Sequence, residues 1–184
     1  MTEELAPVVS NTGPLISVFQ SDSLKVITEL FGVVHTTEAC RAELIRHGWQ
    51  DQLDQAGDAI VVHTLTMVEA EQARELARRI ADHPVSKDRE LVSHSGEAEA
   101  MALAQRAEFS EGVLLLDELA ARAVAVEIGL TISGFAGVLL LAAEQGLMTA
   151  DDLKQRLERC RQLGTHYGSE FIEQLYRAAQ EGET

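Results

Sequence analysis

The chain has 184 residues, enough for one ordinary core and too few for two comfortable domains. Hydrophobic residues make up 46% of it and aromatic ones 4%, which excludes wholesale disorder and leaves Val, Ile, Leu and Ala to build the core. A formal net charge of −15 argues against a non-specific nucleic-acid binder and suits a basic protein partner, although a bound metal can invert the sign locally and so leaves room for an enzyme acting on nucleic acid.

Along the chain, short apolar runs alternate with helical patterns. Pro7 to Ser10 is a strand ending in Asn11-Thr12-Gly13-Pro14, a turn with Pro14 placed to open a helix. A helix from about Asp22 to Phe31, capped by Ser21 or Asp22, closes at Gly32. Val33 to Thr36 reads as a strand, Thr37 to about His47 as a helix, and Gly48 to Asp58 as a polar connection to a third strand, Ala59 to Leu65. Thr66 to Glu69 has the spacing of a capping box and starts a helix that Asp82-His83-Pro84 stops. His83 to Ser93 is polar and irregular, the expected mobile loop. Then come a helix from Ser95 to about Ala107, a buried strand Val113 to Leu116, a helix Glu118 to Ile128, a fifth strand Leu130 to Ser133 and an apolar helix Phe135 to Gln145. From Met148 onward the pattern is helical.

This alternation implies right-handed crossovers and a three-layer α/β/α fold around a parallel sheet of about five strands. The expected organisation is one domain over residues 1–150 and a C-terminal helical extension, residues 151–184, packed on it. Cys40 and Cys160 belong to no paired motif, which suggests a reducing compartment. The opening residues lack a secretory pattern, and Ile128 to Ala143 is too broken by Thr131, Ser133, Gly134 and Gly137 to span a membrane. A cytoplasmic location is the expectation.

In parallel sheets, ligands bind outside the carboxyl ends of the strands. Asn11 closes the first strand there, and Asp117 closes the central one, followed at once by Glu118. Glu97 lies in the first turn of the Ser95 helix, and Glu43 midway along the Thr37 helix. Oxygen donors drawn from separate elements are what Mg²⁺ or Mn²⁺ needs. Each residue alone also has a plain structural role: Asp117 as an N-cap, Glu97 as partner to a helix dipole, Glu43 paired with His47 or Arg46, Asn11 as a turn residue, and Arg122 paired with Glu118. Their joint placement is what points to chemistry. The sequence has no GxGxxG after the first strand, no phosphate-binding P-loop, no GxSxG elbow and no HxxxH spacing, so nucleotide, serine-hydrolase and zinc readings lack their residues.

Val8-Val9-Ser10-Asn11-Thr12-Gly13-Pro14-Leu15-Ile16, Gly96-Glu97-Ala98-Glu99-Ala100, Leu115-Leu116-Asp117-Glu118 with Ala121-Arg122, and Gly134-Phe135-Ala136-Gly137-Val138-Leu139-Leu140 followed by Gly146-Leu147 keep one family's order over roughly residues 7 to 150. Together they resemble PIN-like domains, in a bacterial and archaeal branch that opens on an Asn-Thr-(Ser/Gly)-Pro-Leu-Ile motif. The resemblance implies the PIN fold and metal-dependent cleavage of RNA, with Mg²⁺ or Mn²⁺ activating a water. Many relatives are toxins of toxin–antitoxin pairs. By position it assigns metal ligation and catalysis to Asn11, Glu43, Glu97 and Asp117, with Glu118 where the branch often has a second Asp, and Arg122 beside them. Asn11 stands where active relatives carry Asp, so one formal charge is missing although its carbonyl can still ligate.

Three functions follow. The first is a PIN-type ribonuclease, with Arg41, Arg46, Lys87, Arg89 and Arg106 as the basic residues available for an RNA-facing patch. The second is a PIN-like interaction module that has lost catalysis, and the third a small-molecule-binding α/β domain of another kind. The expected partners are RNA, a basic antitoxin protein and a second copy of the chain, paired through the Phe135 helix and the C-terminal helices.

Overall fold

The computed structural model describes residues 5–182; the first four residues, part of the opening read above for a secretory pattern, lie outside them, as do the last two. Five parallel strands, β1 (Val8–Ser10), β2 (Val34–Thr37), β3 (Ile60–His63), β4 (Val113–Leu115) and β5 (Ile132–Ser133), lie in the order β3-β2-β1-β4-β5. The register pairs Val8 with Val34 on one side and with Val113 on the other, so β1 and β4 are central neighbours. Successive residues of these strands face opposite layers. Val8 and Leu115 pack into one core with Phe135, Val138, Leu139, Leu153 and Ile172, while Val9, Leu114 and Leu116 pack into the other with Ile80, Met101, Leu103 and Val124. Burial of the pleat on both faces is why these strands are continuously apolar.

Helices α1 (Thr12–Gln20), α2 (Leu24–Phe31), α3 (Glu38–Arg46) and α4 (Gln50–Ala56) connect the first three strands. Across the sheet lie α5 (Met67–Asp82), α6 (Ser95–Ala104) and α7 (Leu119–Glu127). The chain then returns to the first face with α8 (Phe135–Glu144), α9 (Ala150–Gln162) and α10 (Ser169–Gly182). The result is the three-layer α/β/α architecture read from the sequence. Right-handed crossovers account for it: β1 to β3 step one way under one layer of helices, and β4 is reached by jumping back under the other.

Three local readings are corrected. The connection at residues 48–58 contains helix α4, which hides only Leu53 and so shows no apolar period. Pro14 does not open a helix; α1 begins at Thr12 with Asn11 as its N-cap residue. The next helix, α2, is entered through Ser23 after Asp22 adopts φ 54°, while Ser21 Oγ and Ser23 Oγ lie 2.7 Å apart. The capping box forms as read: Thr66 Oγ1 accepts from the Glu69 N–H at 3.2 Å, and the Glu69 carboxylate accepts from the Thr66 N–H at 2.7 Å. The apolar side of α8 is filled by the chain's own α2, α9 and α10. Among the described residues no helix is long and apolar enough to cross a membrane.

Candidate metal centre at the carboxyl edge of the sheet

Strands β1 and β4 end side by side where crossovers leave in opposite directions, the point at which parallel sheets open a crevice. Asn11 follows β1 and is only 4% exposed, and its Oδ1 has no hydrogen-bond partner. A buried acceptor left this way costs on the order of 1–3 kcal/mol, so it marks a place prepared for a ligand or held at a loss. A methyl group on the exposed Gly13 would stand 3.8 Å from that oxygen and 3.9 Å from Asp117 Oδ2. The two oxygens therefore flank one glycine.

Asp117 does not cap α7. That role falls to Glu118, whose Oε2 accepts from the Ala121 N–H at 2.6 Å. One residue upstream, Asp117 reaches the first turn of α8 instead, where its Oδ1 accepts from the Phe135 N–H at 3.2 Å. Water reaches it, yet it sits in a concave wall of protein that weakens solvation. That desolvation raises its pKa, against the opposing pull of the Phe135 N–H and the Arg122 guanidinium. The Glu118 carboxylate is turned to the helix end, and Arg122 Nη1 donates instead to the Leu116 carbonyl at 2.7 Å. Gly134 leaves the room for this arrangement, since a methyl there would stand 2.7 Å from Asp117 Oδ1 and 3.5 Å from Arg122 Nη1.

Glu43 and Glu97 meet around Gly96. Glu43 Oε2 accepts from the Thr12 hydroxyl at 2.6 Å, and its Oε1 lies 3.8 Å from His47 Nε2. A methyl on Gly96 would stand 3.1 Å from Glu43 Oε2 and 3.5 Å from Thr12 Oγ1, so any other residue here would push the Glu43 carboxylate by a few tenths of an ångström. The half-buried Glu97 carboxyl is held above the usual carboxylate range by desolvation first, then by the Glu43 and Glu118 carboxylates; its own backbone N–H and His94 oppose the shift. Glu99 points elsewhere and accepts from the Ala39 N–H at 3.3 Å, fastening the start of α3. Thus Asn11 and Asp117 flank Gly13, Glu43 and Thr12 flank Gly96, and the Glu43 charge is felt at Glu97. Among the described residues no three His, Cys, Asp or Glu side chains converge closely enough to hold a metal by themselves.

The basic residues are largely committed elsewhere. Arg106 is bound to both Glu69 oxygens at 2.7 and 3.0 Å, Arg89 to the carbonyls of Ala81 and His83, and Arg41 faces Glu38 at 3.6 Å. A cleft of about 930 Å³ opens from Asp117, Arg122 and Gly134 toward Tyr167 and Phe171. Three features here escaped the reading of the sequence: the Thr12–Glu43 bond, the space reserved by Gly134, and this cleft wall. Thr12 and Gly134 stood inside the motifs, but nothing in a linear pattern says which side chains they face.

No curated protein and no solved structure shows a significant match to the chain. A family model does, over residues 7–181, from the edge of β1 to the last turn of α10; the chain belongs to the PIN domain family, whose fold is of nuclease type.

Proposed function

We propose that the chain is a metal-dependent ribonuclease of PIN type. PIN domains generally use divalent metal ions, and the donors at the β1–β4 edge fit such an ion chemically: hard oxygens from an amide, an aspartate and crowded glutamates. The observation that carries the reading is Asn11 Oδ1, buried, unpartnered and beside Asp117. Asp117, Glu97 and Glu43 would hold the ion with Asn11 as a neutral fourth ligand, and the Thr12 hydroxyl restrains Glu43. Bound there, Mg²⁺ or Mn²⁺ supplies an activated water and charge stabilisation for the phosphodiester.

The remaining steps belong to the chain itself. The Phe135 N–H and Arg122 orient Asp117, Glu118 fixes the start of α7, and Arg122 lies at the cleft floor where a phosphate oxygen can be met. In this reading residues 1–150 carry the chemistry, while the extension over residues 151–184 walls the cleft. The enzyme works in the cytoplasm, and its acidic surface suits a basic antitoxin. Two copies would meet through the C-terminal helices, since the α8 surface is already covered; sedimentation of a 20.1 kDa species alone would speak against pairing.

A second reading, an interaction module without catalysis, is favoured by the uncharged Asn11 and by the engaged basic residues. One experiment separates the two. RNA cleavage by purified protein in Mn²⁺ is compared with EDTA and with Asp117→Asn. Cleavage that needs both metal and Asp117 supports the nuclease. Cleavage that survives either change, or that never occurs even in Asn11→Asp, sinks it.

A further inference from the structure

The cleft that starts at Asp117 ends on a wall built by the connector between α9 and α10. Leu163, Tyr167 and Phe171 form its apolar part, and Phe171 is 42% exposed. The Tyr167 and Phe171 rings stack with centroids 6.1 Å apart and planes 29° apart. The wall is held from behind. Gln20, 6% exposed, donates to the Leu163 carbonyl at 3.1 Å and accepts from the Thr165 hydroxyl at 2.6 Å, and the Tyr167 hydroxyl lies 3.4 Å from Ser17 Oγ.

Charge narrows the occupant. A polyanion bound through phosphates needs several cations, yet among the described residues Arg122 is the one Lys or Arg lining this cleft, in a chain of net charge −15. Binding energy must come from another part of the substrate. An exposed ring, Phe171, with the half-buried Tyr167 behind it, can supply it by stacking on bases, which every base offers and which needs no charge.

We propose that Tyr167 and Phe171 form a stacking platform for one unpaired nucleobase of the substrate, next to the phosphate presented to Asp117 and Arg122. The proposal rests on the nuclease reading of that cleft, and its test does not need turnover. In EDTA, 5′-AMP and ribose 5-phosphate are titrated against the whole chain, following the ring resonances of its two Tyr and five Phe residues. The expected result is that AMP shifts Tyr167 and Phe171 while ribose 5-phosphate does not. Affinity for a short single-stranded RNA, also in EDTA, falls roughly 5- to 150-fold in Phe171→Leu and is kept in Phe171→Tyr.

Equal response to AMP and ribose 5-phosphate, shifts that avoid both rings, or indifference to Phe171→Leu would overturn the platform. So would rings that answer only to a basic peptide, which would mark a protein-docking face. A chain that takes AMP on these rings but never cuts RNA keeps the platform and loses the nuclease. A chain that cuts RNA with no regard to the rings does the reverse.

Discussion

Gly134 offers a way to move Asp117 without removing it. Its backbone, φ −100° and ψ 168°, is open to alanine, so Gly134→Ala introduces no backbone strain. The obstacle is the new methyl, 2.7 Å from Asp117 Oδ1. Ordinary contact requires the carboxylate to withdraw by the better part of an ångström, and the 3.2 Å bond from the Phe135 N–H is then stretched or lost. A hydrogen bond to a charged group contributes about 1.5–3 kcal/mol when shielded. Asp117 is open to water, which reduces that contribution, and the smaller entropy of an alanine-containing unfolded chain returns about 0.4–1 kcal/mol. The balance is a loss of about 0.5–2 kcal/mol, or a Tm lower by roughly 1–8 °C in a chain of this size. Metal-dependent turnover should fall much further, by roughly 100-fold, because catalysis tolerates misplacement of about 1 Å poorly. Thermal melts and Mn²⁺-dependent RNA cleavage, both on the purified variant and well below its Tm, measure the two effects. Turnover within about threefold of the parent would refute the argument that the Asp117 carboxylate must sit where Gly134 allows.

The pKa of Glu69 is held down to about 2 by Arg106 and then by the Thr66 cap. A depressed carboxylate stabilises the fold above its unfolded pKa near 4.5 and loses that contribution as pH falls toward 2. Allowing for solvent around this surface pair, Glu69→Gln should cost about 1–2 kcal/mol at pH 7 and almost nothing near pH 2 in urea titrations. Asn11→Asp should tighten Mn²⁺ binding, read as a larger metal-induced rise in Tm, and lower the Tm in EDTA because a second carboxylate joins Asp117 without a counter-charge. Thr12→Val removes the donor 2.6 Å from Glu43 and should cost about 1–3 kcal/mol in urea unfolding, with weaker Mn²⁺ binding alongside.

The strands and the long helices were legible because their signals are local. Val113 to Leu115 is apolar at every position, and Thr66 with Glu69 carries its cap within four residues. Helix α4 was not, since six of its seven residues stay out of the core. At the site, Asn11 and Asp117 could be found from strand ends alone, because a parallel sheet brings those ends to one edge. Which carboxylate caps α7 could not. Asp117 and Glu118 are neighbours of similar chemistry, and the choice is made by the α8 N-terminus arriving from 18 residues away. The same holds for Glu43, whose partner Thr12 lies 31 residues upstream.

The seam between β1 and β4 also orders events in time. Residues Val8 to Ser10 can pair with β2 as soon as that strand leaves the ribosome, but their other neighbours, Val113 to Leu115, are made much later. Contacts so far apart in sequence close late, after the loop between them has condensed. Asn11 and Asp117 sit on the two sides of that seam. A partly synthesised chain therefore presents Asn11 at the edge of an open gap with no Asp117 across it. The two residues come together only when the sheet is complete.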